Sequence, residues 1–206
     1  FVSTASAILQ ERLKPVFVDI DKTFCLDPRD LEKKIAKKTK AIIPVHLYGH
    51  PANMPLIQKI ARRYRLFIIE DTCQAHGAVF GNIRVGSFGN FGCFSFFQTK
   101  NMSCGEGGMI TTSNKSLYRA ARLRREHGSP SDSPTWYSYS CLGYNYNMNE
   151  LQAAIGREQL KKLDQFNRQR IVNARKYIKA LAGKGLSFIK TSPSYKNVFH
   201  NLVVLL

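Results

Sequence analysis

Short runs of β-branched and aromatic residues alternate with helical patterns along the chain. The strand-like runs cover residues 15–20, 41–45, 66–69, 91–96 and 109–112. Strands that alternate with helices are typical of βαβ units and a parallel sheet. The run 66–69 is apolar at every position, so we expect it to be buried between helix layers. The pattern predicts an α/β fold with a mostly parallel sheet.

Helix signals lie between and after these runs. Asp27 and Pro28 suit the N-cap and first turn of a helix that continues to Ile35. Pro55 opens an amphipathic pattern that predicts the next helix. The glycine-rich stretch 77–92 predicts loops and turns. A capping box at Asn149 predicts a helix through residue 163, and a second helix is expected to follow it, with an apolar stripe of Ala174, Tyr177, Ile178 and Leu181.

Composition allows a real core and indicates anionic partners. The chain has 206 residues, of which 44% are hydrophobic, and its 31 Lys and Arg against 14 Asp and Glu give a net charge of +17. The interleaved aromatic residues of an RNA-recognition motif are missing, so we predict no nucleic-acid partner. The longest apolar run, residues 202–206, is far shorter than the ~20 residues of a membrane span, so we predict no membrane association.

The cysteines and histidines do not form a recognisable metal motif. Five cysteines without a CxxC pair disfavour a disulfide scaffold or a zinc site and suit a reducing cytoplasm. His46 and His50 have HxxxH spacing, but Gly49 and Pro51 break the helix that such a metal site needs. We therefore predict no metal site and a cytoplasmic protein.

Both ends suggest that the chain is an internal piece of a longer protein. It begins at Phe1 without an initiator methionine, and it ends at Leu206 inside a strand-like run. Complete domains usually close their last element.

Two residues stand where strands end. Asp71 comes directly after the apolar run 66–69 and Glu70, and ligands in open α/β sheets lie outside the carboxyl ends of strands. Lys100 follows the run 91–96, and a desolvated lysine loses its proton more easily and can form a Schiff base. Each also has a structural interpretation, Asp71 as a helix N-cap or ion-pair partner and Lys100 as a solvated surface charge.

These residues belong to a longer pattern. The segments EDTCQAHGA, FGCFSFFQTKN and EGG contain Asp71, Gln74, His76, Ser95 and Lys100 in one order. In this pattern the chain resembles the DegT/DnrJ/StrS family of sugar aminotransferases, which use pyridoxal 5'-phosphate (PLP). The resemblance covers nearly the whole chain, from FVSTASAI through TKAIIPVHLYGHPANM to GYNYNMNELQAAIGREQLKKLD. It implies the three-layer α/β/α large domain of a fold-type I PLP enzyme, with a mostly parallel sheet.

The resemblance also implies roles around the cofactor. Lys100 would hold PLP covalently through its amine and act as the general base. Asp71 would pair with the pyridinium nitrogen, so that the ring can accept electrons. Gln74 would lie beside the ring, near its phenolic oxygen, and Ser95 would bond the phosphate. The alternatives are structural: Gln74 and His76 as satisfied loop side chains, and Ser95 as a small residue in a tight strand pair.

Two further positions match residues that complete the site in this family. Phe1 would stack on the PLP ring, and the structural alternative is an ordinary core aromatic. Asn145 would reach the phosphate of a neighbouring subunit's cofactor, which implies a homodimer with shared active sites. Asn147 stands where the family commonly has arginine, which puts one phosphate or substrate contact in doubt. The family's Gly-Thr phosphate segment lies upstream of Phe1.

The resemblance implies a PLP-dependent aminotransferase that moves an amino group, usually from glutamate, to a nucleotide-linked keto-sugar. Residues 1–190 would form the PLP-binding domain, and residues 191–206 would begin a smaller C-terminal domain. Alternatives are a related enzyme acting on a cyclitol or another ketone, and a sugar dehydratase. Family dehydratases commonly replace the lysine by histidine, so Lys100 argues against the latter. Outside the enzymes, the alternatives are an inactive remnant and a polyanion-binding module that would show salt-dependent affinity.

Overall fold

The computed structural model describes residues 1–130 and 137–206. In these residues the chain forms five α-helices, nine short strands and a 3₁₀ turn at Leu47–Gly49. The helices are α1 Val2–Gln10, α2 Pro28–Lys34, α3 Met54–Tyr64, α4 Lys115–Arg125 and α5 Glu150–Leu181. The strands are β1 Ala41–Ile42, β2 Phe67–Asp71, β3 Val79–Phe80, β4 Ile83–Arg84, β5 Phe91–Ser95, β6 Gly108–Thr111, β7 Ser187–Phe188, β8 Tyr195–Lys196 and β9 Val204–Leu205.

The largest sheet carries the strand ends that matter for the site. Its order is β1-β2-β5-β6, in which β1, β2 and β5 are parallel and β6 is antiparallel. Asp71 of β2 pairs with Cys93 of β5, so the carboxyl ends of these two strands lie side by side. Two smaller antiparallel sheets have the orders β4-β3-β8 and β7-β9. The predicted α/β class with a mostly parallel sheet is confirmed.

One face of the central sheet forms the main core. Ile42 and Ile68 pack with Ile57 of α3 and Leu31 of α2, and all four are buried. The opposite face is only partly covered: Phe67 is 53% exposed and Asp71 is half-buried. The expectation that this strand is buried on both faces is therefore wrong for Phe67, because side chains alternate across the sheet and the helix layer of α2 and α3 covers the face of Ile68.

Polar caps determine where the helices begin. The Asp27 carboxylate accepts a hydrogen bond from the backbone N–H of Arg29, with Pro28 in the first turn of α2. Asn149 accepts one from the N–H of Gln152 at the start of α5. Such caps satisfy backbone donors that have no partner inside the helix. The predicted starts of both helices are confirmed.

The predicted strand at residues 15–20 does not form. The chain turns back immediately after Asp19, because the N–H of Asp27 donates to its carbonyl and the N–H of Asp21 donates to the carbonyl of Cys25. Only an isolated bridge between Ile20 and Leu26 remains. A strand needs a neighbouring strand for its backbone groups, and this turn uses those groups locally.

The two helices predicted after Asn149 are one helix of 32 residues, α5. Its buried face carries Leu163, Asn167 and Ala174, at spacings that keep them on one side. Asn167 is the polar member of this buried face. In the structure its amide oxygen and its amide nitrogen each form a hydrogen bond inside the protein, and the helix continues.

Several elements were not predicted. The segment after Phe1 forms α1, and the glycine-rich stretch 77–92 contains the β3–β4 hairpin. The terminal segment is also structured: β8 pairs with β3, and Val198 is completely buried. Across residues 1–130 and 137–206, no helix is both long enough and apolar enough to cross a membrane.

Candidate active site

Asp71 occupies the carboxyl end of β2, next to the partner strand β5. Its Oδ2 accepts a hydrogen bond from the Thr4 hydroxyl at 2.9 Å, and its Oδ1 accepts one from the backbone N–H of Cys73 at 3.2 Å. These two bonds fix the carboxylate, whose two oxygens can accept about four in all. The half-buried carboxylate therefore keeps acceptor capacity for a cationic nitrogen.

Lys100 lies just beyond β5, in a tight turn closed by its N–H on the carbonyl of Phe97 at 2.9 Å. Its side chain is half-buried, whereas the next residue, Asn101, is buried. The Cys73 thiol is affected by both charged groups of the site. Burial and the Asp71 carboxylate raise the pKa of Cys73 to about 12, while the Lys100 ammonium acts in the opposite direction. The charges of Asp71 and Lys100 therefore both influence the Cys73 thiol.

Gln74 is held in one orientation. Its Oε1 accepts a hydrogen bond from the backbone N–H of Tyr48 at 2.8 Å. Tyr48 itself has a left-handed backbone, with φ of 57°, which is uncommon for a residue with a side chain. Because the amide oxygen is used, the Gln74 NH₂ group remains as a donor.

Ser95 is the last residue of β5. It lies two positions after Cys93, which pairs with Asp71, so Ser95 and Asp71 are on the same face of the sheet. Its hydroxyl oxygen accepts the backbone N–H of Phe97 at 3.3 Å, which leaves the hydroxyl hydrogen free to donate. The strand ends therefore present Asp71, Gln74, Ser95 and Lys100 in one region.

The other two predicted residues are placed less directly. Phe1 is the N-cap residue of α1 and is 93% exposed, and its carbonyl accepts the N–H of Thr4, whose hydroxyl contacts Asp71. Asn145 is exposed on the segment after α4, where it forms a bridge with Glu126 and its side chain accepts a bond from Asn147. In the described part of the chain, no hydrogen bond joins the Asn145 side chain to the other five residues. The roles of Phe1 and Asn145 stay predictions.

Two neutral imidazoles lie near the lysine. Burial, with smaller contributions from His200 and Lys100, lowers the pKa of His76 to about 4. Burial, Lys100 and Arg170 also lower the pKa of His200 to about 4. Both rings are therefore uncharged at neutral pH, so Lys100 has no histidine cation beside it.

A buried acidic network directly precedes Asp71, and sequence reasoning missed it. The fully buried Glu70 accepts the backbone N–H groups of Gly86, Phe88 and Gly89, each at 2.7 Å, and contacts His46 Nε2 at 3.1 Å. His46 Nδ1 accepts the N–H of Ala52, so its hydrogen is on Nε2 and points to Glu70. The sequence showed Glu70 beside Asp71, but nothing in it indicated these partners. Thr4 and Tyr48, which hold Asp71 and Gln74, were missed for the same reason.

Comparison with known proteins gives one consistent result. The chain is 42% identical over 210 residues to a UDP-N-acetyl-3-dehydro-alpha-D-glucosamine 3-aminotransferase of Acidithiobacillus ferrooxidans, which covers 100% of this chain and 55% of the relative. The structure of this chain is similar to that of DesV of S. venezuelae, which was solved in complex with a ketimine intermediate. The TM-score is 0.93, and the identity is 36% over 99% of this chain and 55% of DesV.

A third match has another chemistry in its name. The GDP-4-keto-6-deoxymannose-3-dehydratase ColD matches with a TM-score of 0.90 and 30% identity over 98% of this chain and 56% of that one. The chain thus spans about half the length of the proteins it matches. The model of the DegT/DnrJ/EryC1/StrS aminotransferase family matches residues 1–206, the full length of the sequence. The chain belongs to the DegT/DnrJ/EryC1/StrS aminotransferase family.

Proposed function

We propose that the whole protein is a PLP-dependent aminotransferase that transfers an amino group from glutamate to a nucleotide-linked keto-sugar. The observation that carries the proposal is that Asp71 ends β2 and Lys100 follows β5, the strand paired with β2. Family membership and the named nucleotide-sugar aminotransferase among the relatives support the reaction class.

The residues present fit PLP. Asp71 offers unused carboxylate acceptor sites for a protonated ring nitrogen, and Gln74 offers an NH₂ donor for the phenolic oxygen. Ser95 offers a hydroxyl donor for the phosphate. When bound, the cofactor supplies an electron sink for the bonds at the amino carbon. Lys100 would hold it covalently and move a proton to and from that carbon.

Lys100 also favours amino transfer over dehydration. The dehydratase ColD has a closely similar fold, so overall architecture does not separate the two reactions. An amine at this position both carries the cofactor and moves protons as a general base. A chain that keeps the lysine keeps both capacities, which supports the aminotransferase.

We propose a homodimer in which Phe1 stacks on the ring and Asn145 reaches the partner's cofactor. Large apolar side chains are exposed on the segment around Asn145 and on the first turns of α5, and a second copy of the chain would cover them. They are Tyr137, Leu142, Tyr146, Leu151, Ile155 and Leu160, each more than half exposed. The domain boundary at residue 190 and a cytoplasmic location, which suits the five free thiols, belong to the same proposal.

Reduction with borohydride tests the cofactor assignment. We expect the whole protein, loaded with PLP, to absorb visible light and, after reduction, to carry the cofactor on the peptide that contains Lys100. Lys100→Ala should lose this label, whereas Lys161→Ala, an exposed lysine of α5 paired with Glu158, should keep it. A label spread over surface lysines in both variants would refute the assignment.

A single half-reaction tests the chemistry. Adding glutamate to the loaded protein without a keto-sugar should release one equivalent of 2-oxoglutarate per bound cofactor. Subsequent addition of a nucleotide-linked 3-keto-sugar should restore the original spectrum. A protein that binds PLP at Lys100 but releases no 2-oxoglutarate is not a glutamate-dependent aminotransferase.

A further inference from the structure

Two buried asparagines join the segment that carries Lys100 to the rest of the site. Asn101, directly after Lys100, donates from Nδ2 to Asn167 Oδ1 at 2.9 Å. Asn167, from the buried face of α5, donates from its own Nδ2 to the carbonyl of His76 at 2.8 Å. Asn101 is 4% exposed and Asn167 is completely buried. We call these two residues the amide pair.

The amide pair spans both halves of the candidate site. At one end is Asn101, whose backbone is continuous with Lys100. At the other is the carbonyl of His76, two residues after Gln74 and five after Asp71. The two hydrogen bonds of the amide pair thus connect the segment that carries Lys100 to the segment that carries Asp71 and Gln74.

The remaining polar atoms of Asn101 are also used. Its Nδ2 also donates to the carbonyl of Val198 at 3.3 Å, and its Oδ1 accepts from His200 Nδ1 at 3.1 Å. Each amide therefore has only one orientation that satisfies its neighbours. A buried polar group without a partner costs about 1–3 kcal/mol, so this arrangement is strongly preferred over a flipped one.

The backbone beside the pair is shaped to admit it. Gly77 has a φ of +78°, and a Cβ there would lie 2.8 Å from Asn167 Nδ2. A side chain at this position would both strain the backbone and push the amide away from the His76 carbonyl. The close approach of α5 to the loop after Gln74 therefore depends on glycine.

We propose that Asn101 and Asn167 are positioning residues that set the Lys100 amine relative to the Asp71 carboxylate and the Gln74 amide. This inference rests on the proposed function, because it concerns how the chain receives PLP. Without the two hydrogen bonds of the amide pair, the segment that carries Lys100 can shift relative to the carboxyl end of β2. Displacements of about 1 Å at a reacting group can cost ~100-fold in rate, so covalent capture should suffer more than the fold.

The test uses the whole protein with Asn167→Leu, which removes both bonds, and Asn167→Ala, which does so without added bulk. Asn173→Leu, on the exposed side of the same helix, controls for the substitution. Ile57→Ala, in the core between α3 and the sheet, controls for lost stability. Two quantities are measured with PLP: the rate of borohydride-fixable attachment to Lys100, and the visible circular dichroism of the bound cofactor.

We expect both Asn167 variants to keep wild-type far-UV circular dichroism, to attach PLP about tenfold more slowly and to lose most of the visible signal. Asn173→Leu and Ile57→Ala should attach it at the wild-type rate. Wild-type attachment in the Asn167 variants would overturn the inference and leave the proposed function intact. So would an equal loss in Ile57→Ala, or failure of both Asn167 variants to fold. No attachment in the wild type would refute the proposed function, and the inference with it.

Discussion

Replacing Glu70 by glutamine should destabilise the fold far more than the loss of one charge suggests. Glu70 is completely buried, and its two oxygens accept four hydrogen bonds, three from backbone N–H groups and one from His46. Oε1 accepts the N–H groups of Phe88 and Gly89, and Oε2 accepts the N–H of Gly86 and the Nε2–H of His46. In Glu70→Gln the amide oxygen replaces only one of these oxygens, so an NH₂ group faces the other two donors.

The magnitude follows from those two orphaned donors. His46 cannot relieve the conflict by changing tautomer, because its Nδ1 already accepts the N–H of Ala52. An unsatisfied buried donor costs about 1–3 kcal/mol, so two should cost about 3 kcal/mol of unfolding free energy in total. That is a large share of the ~5–15 kcal/mol that stabilises a typical protein.

Urea unfolding followed by far-UV circular dichroism measures this loss. Glu32→Gln is the matched control, because Glu32 accepts a 2.7 Å bond from Arg63 at the surface, and such pairs contribute less than about 1 kcal/mol. Equal unfolding free energies for the two variants at neutral pH would refute the reasoning.

The same variant has a pH signature. Burial alone would raise the pKa of Glu70, but the His46 bond and the backbone N–H groups outweigh it and lower the pKa below 4.5. A lowered folded-state pKa means that the charged form stabilises the fold above the unfolded value and that this contribution is lost as the pH falls below it. The difference between wild type and Glu70→Gln should therefore shrink below pH 4.5. A difference that stays constant into acid would show that the charge of Glu70 is not its source.

Two further predictions concern stability alone. Burial lowers the pKa of His76 from 6.5 to about 4, so the wild type should lose up to about 3 kcal/mol of unfolding free energy as the pH falls from 6.5 to 4. His76→Phe should reduce this loss, and an equal loss in the variant would exclude His76 as the cause of the acid dependence. Asn149→Ala should lower the urea midpoint by the equivalent of about 1 kcal/mol, because it removes the cap on Gln152, whereas Asn149→Asp should keep the midpoint.

Local chemistry made much of the fold predictable. Caps at Asp27 and Asn149 depend on bonds that span two or three residues, and both are visible in the sequence. The parallel strands follow from runs of apolar residues. The strand at 15–20 failed because a local turn used its backbone groups, and a turn without glycine or proline at its centre leaves little signal.

The site was predictable at its strand ends and not in its supports. Position after a strand is a local property that made Asp71 and Lys100 candidates, and the family resemblance of the surrounding motifs selected them as predicted site residues. The bond from Thr4 to Asp71 spans 67 positions, and that from Asn167 to the His76 carbonyl spans 91. Such partners depend on how elements pack. Asn167 shows the same limit, because its burial depends on a partner loop 91 positions away and its polarity gives no sign of it.

The hydrogen bonds that hold Gln74 and Ser95 have one feature in common that supports the proposed ligand. Gln74 Oε1 and Ser95 Oγ each accept a backbone N–H, from Tyr48 and Phe97. Backbone N–H groups can only donate, so each one occupies a side-chain oxygen as acceptor. The N–H groups of Gln74 and the O–H of Ser95 then remain to donate to a ligand. The free groups of Gln74 and Ser95 are therefore donors, and Asp71 is an acceptor beside them. A ligand with anionic oxygens and one protonated nitrogen matches that distribution of charge, and a phosphorylated pyridine is such a ligand.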